Sequence, residues 1–456
     1  MRSLLLAVTL LLVLAADGQK RFDSAAYVRF YEGRFENGDA LNAHRQAPER
    51  PLSAEERILG LSRCWSEARY NFANFDLVPG LSWDSLYTAF LPRVAAAAGN
   101  HDYYRLLQAF YSHLRDGHTG ISLPPSMTRA LNGVLPVEIR LIEGHAIVVA
   151  NTSERKEDAR IRPGAEVLAV NDTALNEYVR TRISPYLSFS TPQDSIERIY
   201  RTQLLLGRAG STVRLTFRDG AGAEWTQPLA YKLQERYWER FPLLTFRVLP
   251  GNVGYLQLNS FGDERIVRLF ASIFPQVQAT SALLIDLRNN GGGNGSNGFA
   301  IIGRLSASGF AEGGAFVRQY RPVGRSWGGI EQGHIETDLR QPHPNRVYDR
   351  PVAVLTGAAT YSAAEDFVSA FRMLRRGTVI GEPTGGSSGQ PLFFTLPGGG
   401  LGRVCAKRDF LADGTEFIGI GIRPDLLLRP TVKGVLAGRD EVLERALELL
   451  AKGQAN

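Results

Sequence analysis

From about residue 240 onward, short and uniformly apolar runs, GYLQL, ALLIDL and VAVLT, alternate with helix-periodic stretches such as ERIVRLFASIF and AEDFVSAFRMLRR. Runs that are apolar at every position fit strands covered on both faces, and their alternation with helices fits a sheet of the α/β kind. Gly-rich joints follow two of the runs, and the chain closes on a helical pattern, DEVLERALELLAK. Upstream the texture differs. VEIRLI, AIVVAN, EVLAVN and TVRLTF alternate with a period of two and are separated by turn-rich joints such as RPGA and FRDGAGAE, which predicts a small β module. Before it, ILGLSRCWSEARYNFANF and YYRLLQAFYSHL carry the helical period, with breaks expected at PGLSW and LPR. The expected organisation is multidomain, α/β and α+β: a helical unit over 20–125, a β module over 126–235 and an α/β core over 240–456.

Residues 1–18 carry one basic residue, an apolar run and then small residues, the pattern of an export signal, so a periplasmic or extracellular location is expected. That run is shorter than the roughly 20 residues of a membrane span, and no later stretch replaces it. The two cysteines, Cys64 and Cys405, permit one bridge and supply no disulfide scaffold. The net charge of +6 is interspersed with acidic residues and lacks an aromatic-basic alternation, so a nucleic-acid partner is not expected.

The segment PVAVLTGAATYSAAEDFVSAFRMLRRG reads as strand, turn and helix, with Ser362 at the helix start. A hydroxyl there meets the positive end of the helix and free backbone N–H groups, as a nucleophile would need. Ser362 and Glu365 also form an S-x-x-E capping box, which requires no catalysis. Both readings stand on this segment alone. The second joint, in LLIDLRNNGGGNGSNGFAIIGRL, contains Gly293, Gly295 and Gly298 at the spacing of a dinucleotide fingerprint. A polar insert before the turn, and no acidic residue closing a second strand about 20 residues on, weigh against that use. Successive glycines can also bring N–H groups against a reacting carbonyl, or simply form a tight turn.

A serine nucleophile needs a base, from seven histidines or a lysine held neutral by burial. His118, in the turn LRDGHTGISLP, is the candidate placed where loops often carry function, although a turn histidine bonded to backbone is the plainer alternative. There is no H-E-x-x-H, no paired C-x-x-C and no P-loop, and neither metal nor cofactor is expected.

In order, LRDGHT, RPGAEVLAVND, LLIDLRNNGGG, TYSAAED, GEPTGGSSGQ and DGTEFIGIGIRPD resemble the C-terminal-processing peptidase and tricorn-core family of serine peptidases over roughly residues 50–445. The resemblance implies a ClpP/crotonase-like core and a PDZ-like module at 126–235 that binds extended peptide by strand addition. It implies a polypeptide substrate, engaged through its C-terminal segment in part of the family. It makes Ser362 the nucleophile, with an oxyanion hole from the Ala363 N–H and that of Gly292 or Gly293. GEPTGGSSGQ puts Ser387 where the processing branch has its catalytic lysine, so the resemblance turns to the tricorn-type branch, whose base His118 matches. In that branch a glutamate supports the base. Ile418 occupies its position here and Glu416 lies two residues earlier, on the same side of an extended strand. Gly117 stands where the tricorn-type pattern has a serine. The resemblance thus implies a secreted or periplasmic serine endopeptidase acting through an acyl-enzyme. An ordinary imidazole titrating near pH 6.5 would make its activity rise from acidic toward neutral pH. The rival from another class is a non-catalytic peptide-binding protein that retains the fold.

Overall fold

The computed structural model describes residues 23–32, 41, 44, 50–233, 242–329, 332–344 and 347–453. The export-signal segment at 1–18 lies outside them. Among the described residues no helix is long and apolar enough to cross a membrane.

After a helix at Ser24–Glu32 come α1 (Ala54–Asn71), α2 (Trp83–Ala95) and α3 (Asn100–Ser112). The expected break at LPR does not occur, because Pro92 sits on the exposed side of the last turn of α2, where its missing N–H removes one hydrogen bond. After α3 the chain turns through His118 into a short strand, β1 (Gly120–Ser122). An antiparallel sheet follows in the order β2 (Val137–Ile142), β3 (His145–Asn151), β4 (Glu166–Val170), β5 (Thr212–Arg218), β6 (Glu224–Ala230). It closes over its own core of Val137, Ile139, Val148, Val167, Leu215 and Phe217.

The core sheet begins with an antiparallel pair, β7 (Leu244–Leu249) and β8 (Val253–Leu258), and continues in parallel through β9 (Ala282–Asp286). A hairpin of β10 (Phe310–Gln319) and β11 (Gln332–Arg340) intervenes in sequence, and the parallel order resumes with β12 (Val352–Thr356) and β13 (Thr378–Gly381). Beyond these come β14 (Pro391–Leu396), β15 (Gly400–Cys405), β16 (Lys407–Phe410) and the edge strand β17 (Leu426–Leu427). The uniform apolarity of these strands has the expected cause. Leu283, Ile285 and Val354 meet the helices α4 (Arg265–Gln278), α5 (Gly295–Ile302) and α6 (Ala363–Met373) on one face. Ala282, Leu284, Ala353 and Leu355 meet α7 (Glu441–Gly453) on the other.

The helical unit does not stand apart. Leu61, Cys64, Tyr104 and Phe110 share a core with Phe394, Leu396 and Val404, and Cys64 and Cys405 are both buried and free. β1 pairs antiparallel with β15, Gly120 opposite Arg403, and the Cys405 N–H donates to Thr119 Oγ1 at 3.0 Å. This zipper carries the turn before β1 onto the core.

Candidate active site

Both Gly-rich joints leave the carboxyl ends of adjacent parallel strands, β9 and β12, the edge where open α/β sheets place their sites. They are laced together. Thr360 Oγ1 donates to the Leu287 carbonyl (2.9 Å), and the Tyr361 N–H donates to the Asn290 carbonyl (3.0 Å). Ser362 then caps α6 with φ 54° and ψ −127°, a left-handed conformation that costs a residue with a Cβ about 1–3 kcal/mol. Gly292 lies against it, and a Cβ there would come within 2.7 Å of Ser362 Cβ and 2.9 Å of the Ala363 nitrogen, so only glycine fits.

His118 reaches this point from the other end of the chain. Its Nε2 lies 3.0 Å from Ser362 Oγ and its Nδ1 lies 2.7 Å from Ser387 Oγ, with the ring buried. The backbone is held by Asp116, whose Oδ1 accepts the His118 N–H at 2.9 Å. The ring stacks on Tyr361, centroids 5.2 Å apart and planes 14° from parallel. Burial, then the guanidinium groups of Arg403 and Arg198, push the imidazole down to about 3. It therefore stays neutral well below the ordinary histidine range, which replaces the acid-to-neutral rise expected from an unperturbed ring.

Neutral His118 sets the hydrogen-bond direction. With Nε2 accepting from Ser362, Nδ1–H donates to Ser387 Oγ. Tyr361, on which the ring stacks, donates from its Oη to Asp194 Oδ2 at 3.4 Å. Asp194 is buried and paired with Arg198 at 2.6 Å. No carboxylate among the described residues bonds the ring directly.

Glu416 does not bond the ring either. Its side chain is 57% exposed and binds Arg408 at 2.6 Å. The inference from strand alternation fails because the chain after Glu416 runs into a turn, Ile418–Ile420, and buries Phe417 and Ile418 instead. Gly117 also acquires a reason. A Cβ there would stand 1.8 Å from Tyr361 Oη, so tyrosine fills the space a serine would need.

Of the expected oxyanion donors, the N–H groups of Gly293 and Ala363 have no hydrogen-bond partner among the described residues. Gly292 is different. Its N–H donates to Asn290 Oδ1 at 2.9 Å, which leaves it a steric role.

The capping box is present together with the histidine contact. Glu365, fully buried, accepts from the Ser362 N–H (3.1 Å), Thr384 Oγ1 (2.6 Å), the Gly386 N–H (2.8 Å) and the Ser387 N–H (2.9 Å). It ties the loop that carries Ser387 to the helix that carries Ser362. Burial raises its carboxyl to about 7 against these four donors.

Residues 252–428 match the sequence profile of Peptidase family S41. Over these residues the chain is similar to that family. The chain is 24% identical over 392 residues to tricorn protease homolog 2 of Streptomyces coelicolor, covering 81% of this chain and 30% of that protein. It is 24% identical over 277 residues to the tail-specific protease of Haemophilus influenzae, covering 59% and 35%. The chain therefore spans about a third of the length of these curated relatives. The solved structure of mature CPAF complexed with lactacystin has the same fold, with a TM-score of 0.68 at 14% identity, covering 88% of this chain and 99% of that one.

Sequence reasoning missed Tyr361, Asp194 and Glu365 as parts of the site. Tyr361 precedes Ser362, but its hydroxyl finds a partner only because Asp194 arrives from the β module. Glu365 was visible as a helix cap alone.

Proposed function

We propose that this chain is an exported serine endopeptidase in which Ser362 is the nucleophile and His118 its general base. The observation that carries the reading is the 3.0 Å approach of His118 Nε2 to Ser362 Oγ, beside the two unpartnered N–H groups of Gly293 and Ala363.

The steps follow from this arrangement. Ser362 Oγ attacks the substrate carbonyl as its proton passes to His118 Nε2. The carbonyl oxygen, now negative, accepts from the Gly293 and Ala363 N–H groups at the positive end of α6. The imidazolium gives its proton to the leaving amine, and the C–N bond breaks. A water, deprotonated by the same nitrogen, then releases the acyl group and restores the Ser362 hydroxyl. The imidazolium is stabilised by its Nδ1–H bond to Ser387 Oγ and by its stacking on Tyr361, in place of a directly bonded acid. The lysine of the processing branch has no counterpart in this mechanism.

The sheet β2 to β6 serves in this reading as a PDZ-like module that takes an extended peptide by strand addition, and the export pattern at 1–18 agrees with a substrate outside the cytoplasm.

The test is labelling with a fluorophosphonate together with hydrolysis of an unstructured protein. Labelling and cleavage in wild type, both absent in Ser362→Ala and strongly reduced in His118→Ala, are expected. Peptide binding with neither labelling nor cleavage would overturn the reading in favour of a non-catalytic binding protein.

A further inference from the structure

Ser362, Asp366 and Ser369 stand at positions i, i+4 and i+7 along α6, so they share a helix face, with Asp366 about one turn, ~5.4 Å, behind the nucleophile. Asp366 also reaches the joint that carries Gly293. A Cβ on Gly295 would lie 3.7 Å from Asp366 Oδ2. Here α5, α6, β10 and β16 enclose a cavity of about 110 Å³, lined by Asp366, Ser369, Lys407, Asp409 and Glu312, with Glu336 and Asp338 at its exposed rim.

The cavity is rich in acceptors. Lys407 pairs with Asp409 Oδ1 at 2.9 Å and Arg340 pairs with Glu312, while Asp366 Oδ1 accepts from the Ser388 hydroxyl at 2.9 Å. Ser369 Oγ and Asp409 Oδ2 belong to residues only 2% and 7% exposed, and neither has a hydrogen-bond partner among the described residues. A buried polar atom without a partner costs about 1–3 kcal/mol, so both favour an occupant that brings hydrogens to them. Burial, then the neighbouring Asp409, raises the proton affinity of Asp366 to about 8, against the Ser388 hydroxyl and the Lys407 ammonium beside it. No three His, Cys, Asp or Glu side chains among the described residues converge in a metal-binding arrangement. A group with several N–H donors suits these acceptors better than a bare cation.

We infer that this cavity is the pocket for the substrate residue on the acyl side of the scissile bond, and that it takes lysine or arginine. The inference rests on Ser362 being the nucleophile. A basic side chain spans one helical turn from an acylated Ser362, and its head group meets Asp366 and Asp409 with Ser369 as a further acceptor.

The experiment compares kcat/KM for two fluorogenic peptides identical except for lysine or norleucine at that position, which differ mainly in charge. Lysine is expected to be favoured at least tenfold in wild type, and Asp366→Asn or Asp409→Asn should bring the ratio below threefold. Equal or faster cleavage of the norleucine peptide would overturn the inference. Should the variants fail to fold, the wild-type peptide pair decides alone, supported by competitive inhibition by butylamine. Calcium or magnesium binding seen by calorimetry in wild type, with no lysine preference, would overturn it in favour of a metal site. Fluorophosphonate labelling of Ser362 in the same preparation separates the two claims. Label without lysine preference removes this inference only, whereas no label removes the catalytic reading and this inference with it.

Discussion

His118 Nε2 and Ser362 Oγ, 244 positions apart in sequence, stand 3.0 Å from one another. The contact exists because β1 zips onto β15 and carries the His118 turn to the carboxyl edge of the core sheet.

The strained backbone at Ser362 predicts a trade between stability and activity. Ser362→Gly should remove the left-handed penalty and raise unfolding free energy by about 1 kcal/mol, while abolishing labelling. Chemical denaturation of wild type, Ser362→Ala and Ser362→Gly checks this, with only the glycine variant expected to gain.

The depressed imidazole predicts an unusual pH profile. Because His118 stays neutral down to about 3, kcat/KM should be flat from pH 5 to 8 instead of falling below 6.5. The sign for stability follows from linkage. Between about 3 and 6.5 the unfolded ring binds the proton and the folded one does not, so His118 costs stability as pH falls through that window. Denaturation of wild type and His118→Gln at pH 7 and pH 5 should show the larger acid loss in wild type. An activity limb near 6.5 would contradict the assignment.

Ser387 and Tyr361 are expected to act on turnover rather than on binding. Ser387→Ala and Tyr361→Phe should each lower kcat on the order of 10- to 100-fold with KM little changed, by removing the partner of Nδ1 or by freeing the stacked Tyr361 ring from Asp194. Both should also displace the acid limb of the pH profile, which a purely structural defect would not do. Glu416→Gln should change kcat less than twofold, since its carboxylate serves Arg408.

Glu365 holds the serine and the Ser387 loop together through both oxygens. In Glu365→Gln the amide NH₂ must face donors that one oxygen now accepts. A loss of about 1–3 kcal/mol in unfolding free energy is expected, with slower labelling of Ser362. Glu365→Asp, which keeps the charge but shortens the reach, should lose labelling as well.

Gly117 and Tyr361 exclude one another's alternatives. Gly117→Ser should impair folding or activity, because its Cβ would collide with the Tyr361 hydroxyl, and Tyr361→Phe should relieve part of the defect in the double variant. A double-mutant cycle on thermal stability and labelling rate tests the coupling.

Much of this architecture was legible in sequence because its causes are local. Apolarity at every strand position requires cover on both faces, and GYLQL, ALLIDL and VAVLT obtain it from α4 to α6 and from α7. The start of α6, its Ser362–Glu365 cap and the Gly-rich joint are set by neighbours within a few residues. The resemblance of six ordered segments singled out Ser362 and His118. Tertiary structure alone decided which donors and acceptors they meet. The Asn290 side chain takes the N–H of Gly292 and leaves that of Gly293 free, a turn after Glu416 sends its carboxylate to Arg408, and Asp194 from the β module accepts from the hydroxyl of Tyr361, on which the His118 ring stacks. A hydrogen bond depends on position within a few tenths of an ångström and on direction. Contacts between segments tens to hundreds of residues apart fix both, and no local pattern records them.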